Sequence, residues 1–338
     1  MSNLLLAPLI IAAAAAGAER LLRLRDSKRL SAPGEYFDIG GHRLHYRVFG
    51  AHHLENDEDT PLVVLEADSA DWSTHFGDFP QQVAKSYAVL VYDRAGLGWS
   101  SEGPGPRDVD TLSKELHRLL VHVGKGRRAL LVGHGFGTWI ARMYAHRYPF
   151  ETAGIVLLDG EHEGFAVAAR RKGLPTNEPS SLLLRLLSMA NFFGILRALR
   201  MPVAVPQIPG YEFSERAQSV LSVRSFVPAI LRTIQAEQDS RTASLKQIEA
   251  LKDERFEFPV RIVAAGQIAD PSTAPKGYPA VEVNRLWVEQ QRKLLSLSSD
   301  AKFALADGCH HYLALGAPDW VLEAIRDAQE SVLVPERA

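Results

Sequence analysis

One short segment is arranged for chemistry but lacks the atom that would perform it. The apolar run at residues 129–132 is followed directly by G-H-G-F-G at residues 133–137. This spacing predicts a tight strand-to-helix turn, and in the pattern G-x-S-x-G the central serine is raised above a sheet as a nucleophile. Gly135 tolerates the strained backbone of such a turn but has no side chain that could attack a substrate. The segment therefore predicts a site for acyl transfer that lacks its usual nucleophile.

The composition limits the functions that the chain can have. It contains 338 residues, of which 46% are hydrophobic and 23% charged, as in an ordinary globular protein with a large core. The formal net charge of −2 gives no electrostatic basis for binding nucleic acid. Cys309 is the sole cysteine, which excludes an internal disulfide and a thiolate-rich metal site. We expect no metal and no other cofactor.

The N-terminal segment indicates association with a membrane. Residues 4–18 are uncharged, and a basic stretch follows at residues 20–29. We predict that residues 4–22 associate with a membrane and that the basic stretch keeps the body of the protein on the cytoplasmic side. A bilayer span needs about 20 apolar residues, so the uncharged run is short unless Leu21 and Leu22 are included. The alternatives are a mobile amphipathic leader helix, or a secretory signal cleaved near the small residues at 14–18.

Short apolar runs that alternate with helical patterns predict the fold class. Residues 35–39 and 42–48 flank Gly40-Gly41 and predict a β-hairpin. Continuous Val, Leu and Ile runs are typical of strands buried on both faces, and they occur at residues 61–67, 88–92, 129–132, 154–158, 260–265 and 302–305. Helical patterns lie at residues 111–123, 136–148, 284–296 and 320–333. The fold class is therefore α/β, with a doubly wound, mostly parallel sheet.

Residues 161–253 break this alternation and predict a helical cap. Apolar helical patterns occupy residues 181–199 and 219–237, with prolines between them. The predicted organisation is an N-terminal hydrophobic segment and basic linker, a core and a cap, at residues 1–34, 35–160 with 254–338, and 161–253. The apolar stretch at 181–193 indicates a hydrophobic small-molecule cavity under the cap, although ordinary packing explains part of it.

Four landmarks in sequence carry a resemblance to a known family. They are L-E-A-D at residues 65–68, D-R-A-G-L-G-W-S at 93–100, G-H-G-F-G at 133–137, and G-C-H-H-Y at 308–312 followed by Leu315 and Pro318. With these landmarks the chain resembles the α/β-hydrolase fold superfamily from about Glu35 to its C-terminus. Gly135 then stands where a serine hydrolase or esterase has its elbow nucleophile.

The resemblance implies a catalytic histidine and a carboxylate that orients it. His311 follows the last strand and is the implied base, because its spacing to Pro318 fits the family better than that of His310. The orienting carboxylate is either Asp159 or Asp270, both of which lie between the elbow and the histidine as the order of a hydrolase triad demands. Asp159 is slightly preferred, because Asp270 is one residue out of the usual register.

The resemblance also implies an oxyanion hole, but this chain departs from the family there. The backbone N–H groups of Phe136 and of a residue near Asp68 are the implied donors. The family often has a small, Gly-rich stretch where this chain has Asp68, and a carboxylate there opposes a developing oxyanion unless it points outward. Ser69 and Cys309 are weaker alternatives as nucleophiles. Ser69 lies on the opposite side of the expected substrate, and Cys309 has the character of a small buried hydrophobe.

These residues leave three functions open. The first, which we expect, is a protein resembling an ester or amide serine hydrolase that Gly135 leaves inactive or strongly impaired, and that binds an apolar ester- or lipid-like small molecule under the cap. The second is a working hydrolase of altered mechanism, or an inactivated variant of one. The third is a lyase or isomerase that uses His311 as an acid–base group without a covalent step.

Overall fold

The computed structural model describes residues 3–56, 60–176, 181–201 and 205–333. Its strands are β1 Glu35–Asp38, β2 Arg43–Phe49, β3 Leu62–Glu66, β4 Val89–Tyr92, β5 Ala129–His134, β6 Thr152–Leu158, β7 Val260–Gln267 and β8 Ala301–His310. Its helices are α1 Asn3–Arg29, α2 His53–Asn56, α3 Phe79–Val83, α4 Val109–Val123, α5 Gly137–Arg147, α6 Phe165–Arg171, α7 Ser181–Phe192, α8 Ile195–Ala198, α9 Glu215–Ser225, α10 Pro228–Glu249, α11 Ala280–Arg292, α12 Leu313–Gly316 and α13 Pro318–Leu333.

The eight strands form one sheet in the order β1-β2-β4-β3-β5-β6-β7-β8. β1 and β2 pair antiparallel, as the predicted hairpin requires, and β2 pairs antiparallel with β4. From β4 to β8 the neighbouring strands are parallel. The predicted α/β class with a mostly parallel sheet is therefore confirmed.

Both faces of the central strands β3 to β7 are buried, which explains the continuous apolar runs in these strands. In β3, Val63 and Leu65 pack into one core cluster, while Leu62 and Val64 pack into the cluster on the other face. Successive side chains of a strand point to opposite faces, so a strand covered by helices on both sides needs apolar residues at every position. The first cluster contains residues of α13 and the second contains residues of α4 and α5.

The described residues between β6 and β7 form the helices α6 to α10. The pattern at 181–199 is two helices, because Gly194 takes the left-handed conformation (φ 74°) between α7 and α8. The pattern at 219–237 is also divided, since Pro228 begins α10 after α9 has ended. The division of the chain into core and cap at residues 161 and 253 stays a prediction.

Helix α1 contains the segment that was expected to meet a membrane. Its Glu19 is almost completely buried against Arg197, whose Nε lies 2.9 Å from a Glu19 carboxylate oxygen. Among the described residues, none of the helices combines the length and the apolar character needed to cross a bilayer.

Candidate active site

The predicted strand-to-helix turn is present, with Gly135 at its centre. β5 ends at His134 and α5 begins at Gly137. Gly135 has a φ of 53°, in the left-handed region that glycine adopts at least cost. Its N–H donates to the carbonyl of Leu158 at 3.0 Å. Residue 135 therefore lies at the carboxyl end of β5, the edge where parallel sheets bind their ligands.

Asp68 occupies the space that a side chain at position 135 would need. A Cβ atom on residue 135 would overlap the Asp68 carboxylate. Asp68 comes shortly after β3, which is the neighbour of β5 in the sheet. The side chain of Asp68 thus points into the site, and the outward orientation left open from the sequence is not the one found.

Both oxygens of the Asp68 carboxylate are bound by groups that were predicted to serve catalysis. Oδ1 accepts the backbone N–H of Phe136 at 2.5 Å, which is the predicted oxyanion-hole donor. Oδ2 accepts a hydrogen bond from Nε2 of His311 at 3.0 Å. Burial alone would raise the pKa of Asp68, but the hydrogen bond and positive charge of His311 hold that pKa well below its usual range. An ionised carboxylate therefore lies where the oxyanion of an ester substrate would form.

His311 lies between two carboxylates. Its Nδ1 donates to Oδ2 of Asp159 at 2.7 Å, while its Nε2 donates to Asp68. A ring that donates from both nitrogens is an imidazolium. Burial lowers the pKa of His311, but the two carboxylates outweigh burial and raise it well above its ordinary value. In this arrangement His311 can donate a proton but cannot take one from a hydroxyl group.

Asp159 is held rigidly for its contact with His311. It follows β6 directly and is fully buried. Its Oδ1 accepts three hydrogen bonds, from Ala265 N, Trp287 Nε1 and Gln291 Nε2, at 2.7 to 2.9 Å. Trp287 and Gln291, both on α11, were not predicted to contact Asp159. A tryptophan or a glutamine within a helical pattern does not by itself indicate a hydrogen bond to a site residue.

Asp270, the other predicted partner, is not brought to His311. It lies beyond the end of β7 and is partly exposed. Its carboxylate accepts hydrogen bonds from the N–H and hydroxyl of Ser272 at 2.8 and 2.7 Å. An aspartate that bonds to the backbone two residues on is a common loop arrangement.

Arg94 fixes the backbone beside Asp68 and was not assigned a role from the sequence. Its guanidinium donates to the carbonyls of Ala67 and Asp68 at 2.7 and 2.8 Å. It also pairs at 2.9 Å with Glu66 of β3 and with Glu237 of α10. Arg94 is the arginine of the D-R-A-G landmark, so its position could have been suspected, whereas Glu237 gives no motif. Through this arginine α10 is connected to the loop that carries Asp68.

His134 supports His311 from below the cavity. Its Nε2 donates to the carbonyl of His311 at 2.9 Å, and the two rings lie 4.3 Å apart. Burial, together with the charge of His311, lowers the pKa of His134 to about 4, so its ring is neutral at pH 7. Asp68, His134 and His311 offer ligand atoms within 4.8 Å of one another, close enough for a metal ion. A metal there would have to displace hydrogen bonds that already occupy these groups.

A cavity of about 460 Å³ opens above Gly135, Asp68 and His311. Aromatic and aliphatic side chains form much of its wall, namely Phe136, Trp139, Phe165, Ile234, Val283 and Trp287. Gln238 and Arg241 of α10 also line it, and Arg241 is paired with the carboxylate of Glu161. Of the two alternative nucleophiles, Ser69 lines this cavity and Cys309 is not among the lining residues described.

The sequence pattern of the alpha/beta hydrolase family matches residues 67–324, and the chain belongs to this family. Two solved structures of similar fold are a candidate epoxide hydrolase of Pseudomonas aeruginosa and a candidate lipase of Acinetobacter baumannii. The first is 18% identical, with a TM-score of 0.64, and the match covers 89% of this chain and 96% of that one. The second is also 18% identical, with a TM-score of 0.61 and coverage of 94% and 97%. At such identity the likeness concerns the fold alone.

Curated proteins of similar sequence match less completely. The probable transporter efuK of Hormonema carpetanum is 25% identical over 264 residues, which are 75% of this chain and 32% of that protein. The proline iminopeptidase PfmaB of Pestalotiopsis fici is 26% identical over 126 residues, which are 36% of this chain and 42% of that protein. The chain thus spans less than half the length of either curated relative.

Proposed function

We propose that this protein binds a small, largely apolar and uncharged molecule in the cavity above Gly135, and that it does not hydrolyse esters through a serine. One observation carries this proposal. The Asp68 carboxylate fills the space of the elbow side chain and takes the backbone N–H of Phe136. Members of the family often have a small residue at the position of Asp68 and a serine at the position of Gly135. This chain has the larger residue at position 68 and the smaller one at position 135. The two departures compensate in volume.

Each step of serine-type ester hydrolysis is opposed by this arrangement. The carbonyl oxygen of an ester needs the N–H of Phe136, but that donor is bound to Asp68 Oδ1. The negative charge of Asp68 would repel the tetrahedral oxyanion in a site of low dielectric. The two carboxylates beside His311 raise its pKa and favour the protonated ring, and a protonated ring cannot act as the general base.

The charges of the site also restrict the ligand. Asp68 and Asp159 carry two negative charges against the one positive charge of His311, and Arg241 is neutralised by Glu161. A ligand carboxylate above Asp68 would therefore be repelled. The apolar wall of the cavity favours an aromatic or aliphatic group, and Gln238 can donate to a neutral oxygen of the ligand.

Substitutions at positions 68 and 135, made singly and together, test the proposed loss of ester hydrolysis. Gly135→Ser alone should stay as inert as the wild-type protein towards p-nitrophenyl acetate, because Asp68 occupies the space of the new hydroxyl. Asp68→Gly combined with Gly135→Ser should hydrolyse this ester about 10³-fold faster than the wild type, and adding His311→Ala should abolish the gain. Ordinary enzymatic turnover by the wild type, or by Gly135→Ser alone, would overturn the proposal.

Binding itself is tested with phenyl acetate, a neutral aromatic ester, by calorimetry and by the fluorescence of Trp139 and Trp287. Ala166→Trp should fill the cavity and remove binding, since Ala166 lines it. The matched control is Ala198→Trp, on the exposed side of α8, which should bind like the wild type. Equal affinity of the two variants would show that the ester binds elsewhere.

A second candidate is hydrolysis in which Asp68 itself attacks the substrate. The observation in its favour is that Asp68 is bound as a nucleophilic carboxylate would need to be, with Oδ1 on a backbone donor and Oδ2 beside the acid His311. Attack by Oδ2 on an epoxide carbon would break the ring C–O bond, and His311 would give its Nε2 proton to the departing oxygen. The neutral imidazole would then take a proton from water, and the hydroxide would attack Cγ of Asp68. The ester C–O bond would break, the departing alkoxide would take the proton of the new carboxylic acid, and the diol would leave with Asp68 again a carboxylate and His311 again an imidazolium.

The two candidates differ in one measurable species. Incubation with styrene oxide should leave the mass of the wild-type protein unchanged if the cavity only binds. A transient mass gain of one styrene oxide on the peptide that contains Asp68, absent in Asp68→Asn, would establish the second candidate and contradict the first. Steady release of the diol, also lost in Asp68→Asn, would have the same meaning.

A further inference from the structure

Large exposed apolar side chains are concentrated on two helical segments. On α7 and the residues that follow it, the uncovered side chains are Leu182, Leu183, Leu186, Met189, Phe192, Ile195, Leu199 and Met201. On α1 they are Ile10, Ile11, Leu21, Leu22 and Leu24. We call these side chains together the apolar surface. Exposed apolar surface of this extent, concentrated in two segments, marks an interaction site in a folded protein.

The apolar surface of α7 is one side of a helix whose other side is packed. Leu182, Leu186 and Met189 recur at helical spacing and are between 55% and 66% exposed. Leu184 and Asn191 are buried on the same helix, which packs against α10. Leu182, Leu186 and Met189 are therefore exposed on a helix whose opposite side packs against the protein.

A buried ion-pair cluster joins α1 to this part of the molecule. Arg197 of α8 contacts the carboxylates of both Glu19 and Asp26, at 2.9 and 2.8 Å. Glu19 is 2% exposed and also accepts from Arg23. Removing one partner of such a buried ion pair is strongly unfavourable, so the ion pairs of Arg197 hold α1 against α8. The two parts of the apolar surface are thus connected at one point of the fold.

The exposed charged side chains of the two segments that carry the apolar surface are all basic. Residues 181–201 contain Arg185, Arg197 and Arg200 and no acidic residue. The two acidic residues of α1 both pair with Arg197. The exposed cations of α1 are Arg20, Arg25, Lys28 and Arg29.

We propose that this surface docks the protein onto an anionic lipid bilayer, with the apolar side chains in the boundary between head groups and acyl chains and the basic side chains on the head groups. Apolar helix faces rimmed by Lys and Arg bind membranes in this way, and each basic residue near an anionic surface adds attraction. A second copy of the chain fits less well, because a symmetric dimer through this surface would bring the same arginines face to face.

The proposal is tested by flotation of the full-length chain with vesicles. Binding to phosphatidylcholine vesicles that contain 30% phosphatidylserine should be about tenfold stronger than to phosphatidylcholine alone, and 0.5 M NaCl should remove this difference. A variant with Leu182→Gln, Leu186→Gln and Met189→Gln should lose binding to both kinds of vesicle. Arg185→Gln with Arg200→Gln should lose mainly the preference for phosphatidylserine.

The control variant carries Val121→Gln and Val281→Gln, which are exposed apolar positions on α4 and α11 outside the apolar surface. It should bind like the wild type, and far-ultraviolet circular dichroism should show all variants folded. Absence of wild-type binding, or equal binding by the glutamine variants of α7, would overturn the proposal. A wild-type dimer that the α7 variant makes monomeric would overturn it too, by naming a second copy as the occupant.

Discussion

Two places in the molecule seat a carboxylate in the same way and surround it differently. At one, Gly98 has a φ of 47°, the next N–H donates to Asp93 at 2.7 Å, and Asp93 contacts His45. At the other, Gly135 has a φ of 53°, and the next N–H donates to Asp68, which contacts His311. In both, a Cβ on the glycine would overlap the carboxylate.

The surroundings separate a structural carboxylate from one that can meet a ligand. Asp93 and His45 are 0% exposed, and the other ring nitrogen of His45 donates to the carbonyl of Pro33. Asp68 and His311 are 22% and 28% exposed and line the cavity. His311 also has a second carboxylate, Asp159, on its far side. The pairing of aspartate with histidine is therefore uninformative about function until its access to a cavity is known.

Removing each of the two carboxylates should show the largest difference between the two sites. Asp93→Ala should lower the free energy of unfolding by about 3–5 kcal/mol, because it leaves His45 and the N–H groups of Ser73 and Trp99 without their acceptor in a closed site. Asp68→Ala should cost about 1 kcal/mol or less, since water from the cavity can replace the carboxylate. Urea unfolding measures both. Equal losses would mean that Asp68 is as structural as Asp93.

The strands were predictable because each carries its own signal, whereas the site was not. Apolar runs located every parallel strand, although β8 continues to His310 through its pairing with Gln267, beyond the predicted residues 302–305. Gly135 was recognisable from its neighbours in sequence. The orientation of Asp68 depends on contacts with Phe136 and His311, which come from distant parts of the chain. A local sequence pattern cannot predict contacts between residues so far apart in the chain.

A smaller effect is expected on the pKa of His311. Asp68→Asn should lower the pKa of His311, because it removes one of the two carboxylates that raise it. Nuclear magnetic resonance of the histidine side chains measures this shift. An unchanged titration of His311 would mean that Asp159 alone holds its proton.

The same pair should make stability depend on pH within a defined window. The folded-state pKa of Asp68 is lowered, so its contribution is present above about pH 3.9 and is lost as the pH falls through that lowered value. The pKa of His311 is raised, so its contribution is complete below about pH 6.5 and is lost as the pH rises through the raised value. The stability difference between wild type and Asp68→Asn should therefore be greatest between these limits. Urea unfolding across the pH range would contradict the pair if the difference stayed constant.

The smallest effect is expected at Asp270, and it decides which aspartate orients the imidazole. Asp159→Asn should lower the pKa of His311, because the amide cannot supply the charge of the carboxylate bonded to Nδ1. Asp270→Asn should leave the titration of His311 unchanged, since that carboxylate bonds to Ser272 at the protein surface. Both variants are compared by the same resonance of His311. A shift in Asp270→Asn as large as that in Asp159→Asn would place Asp270 at the imidazole in solution, and the site would then be built differently from the arrangement described.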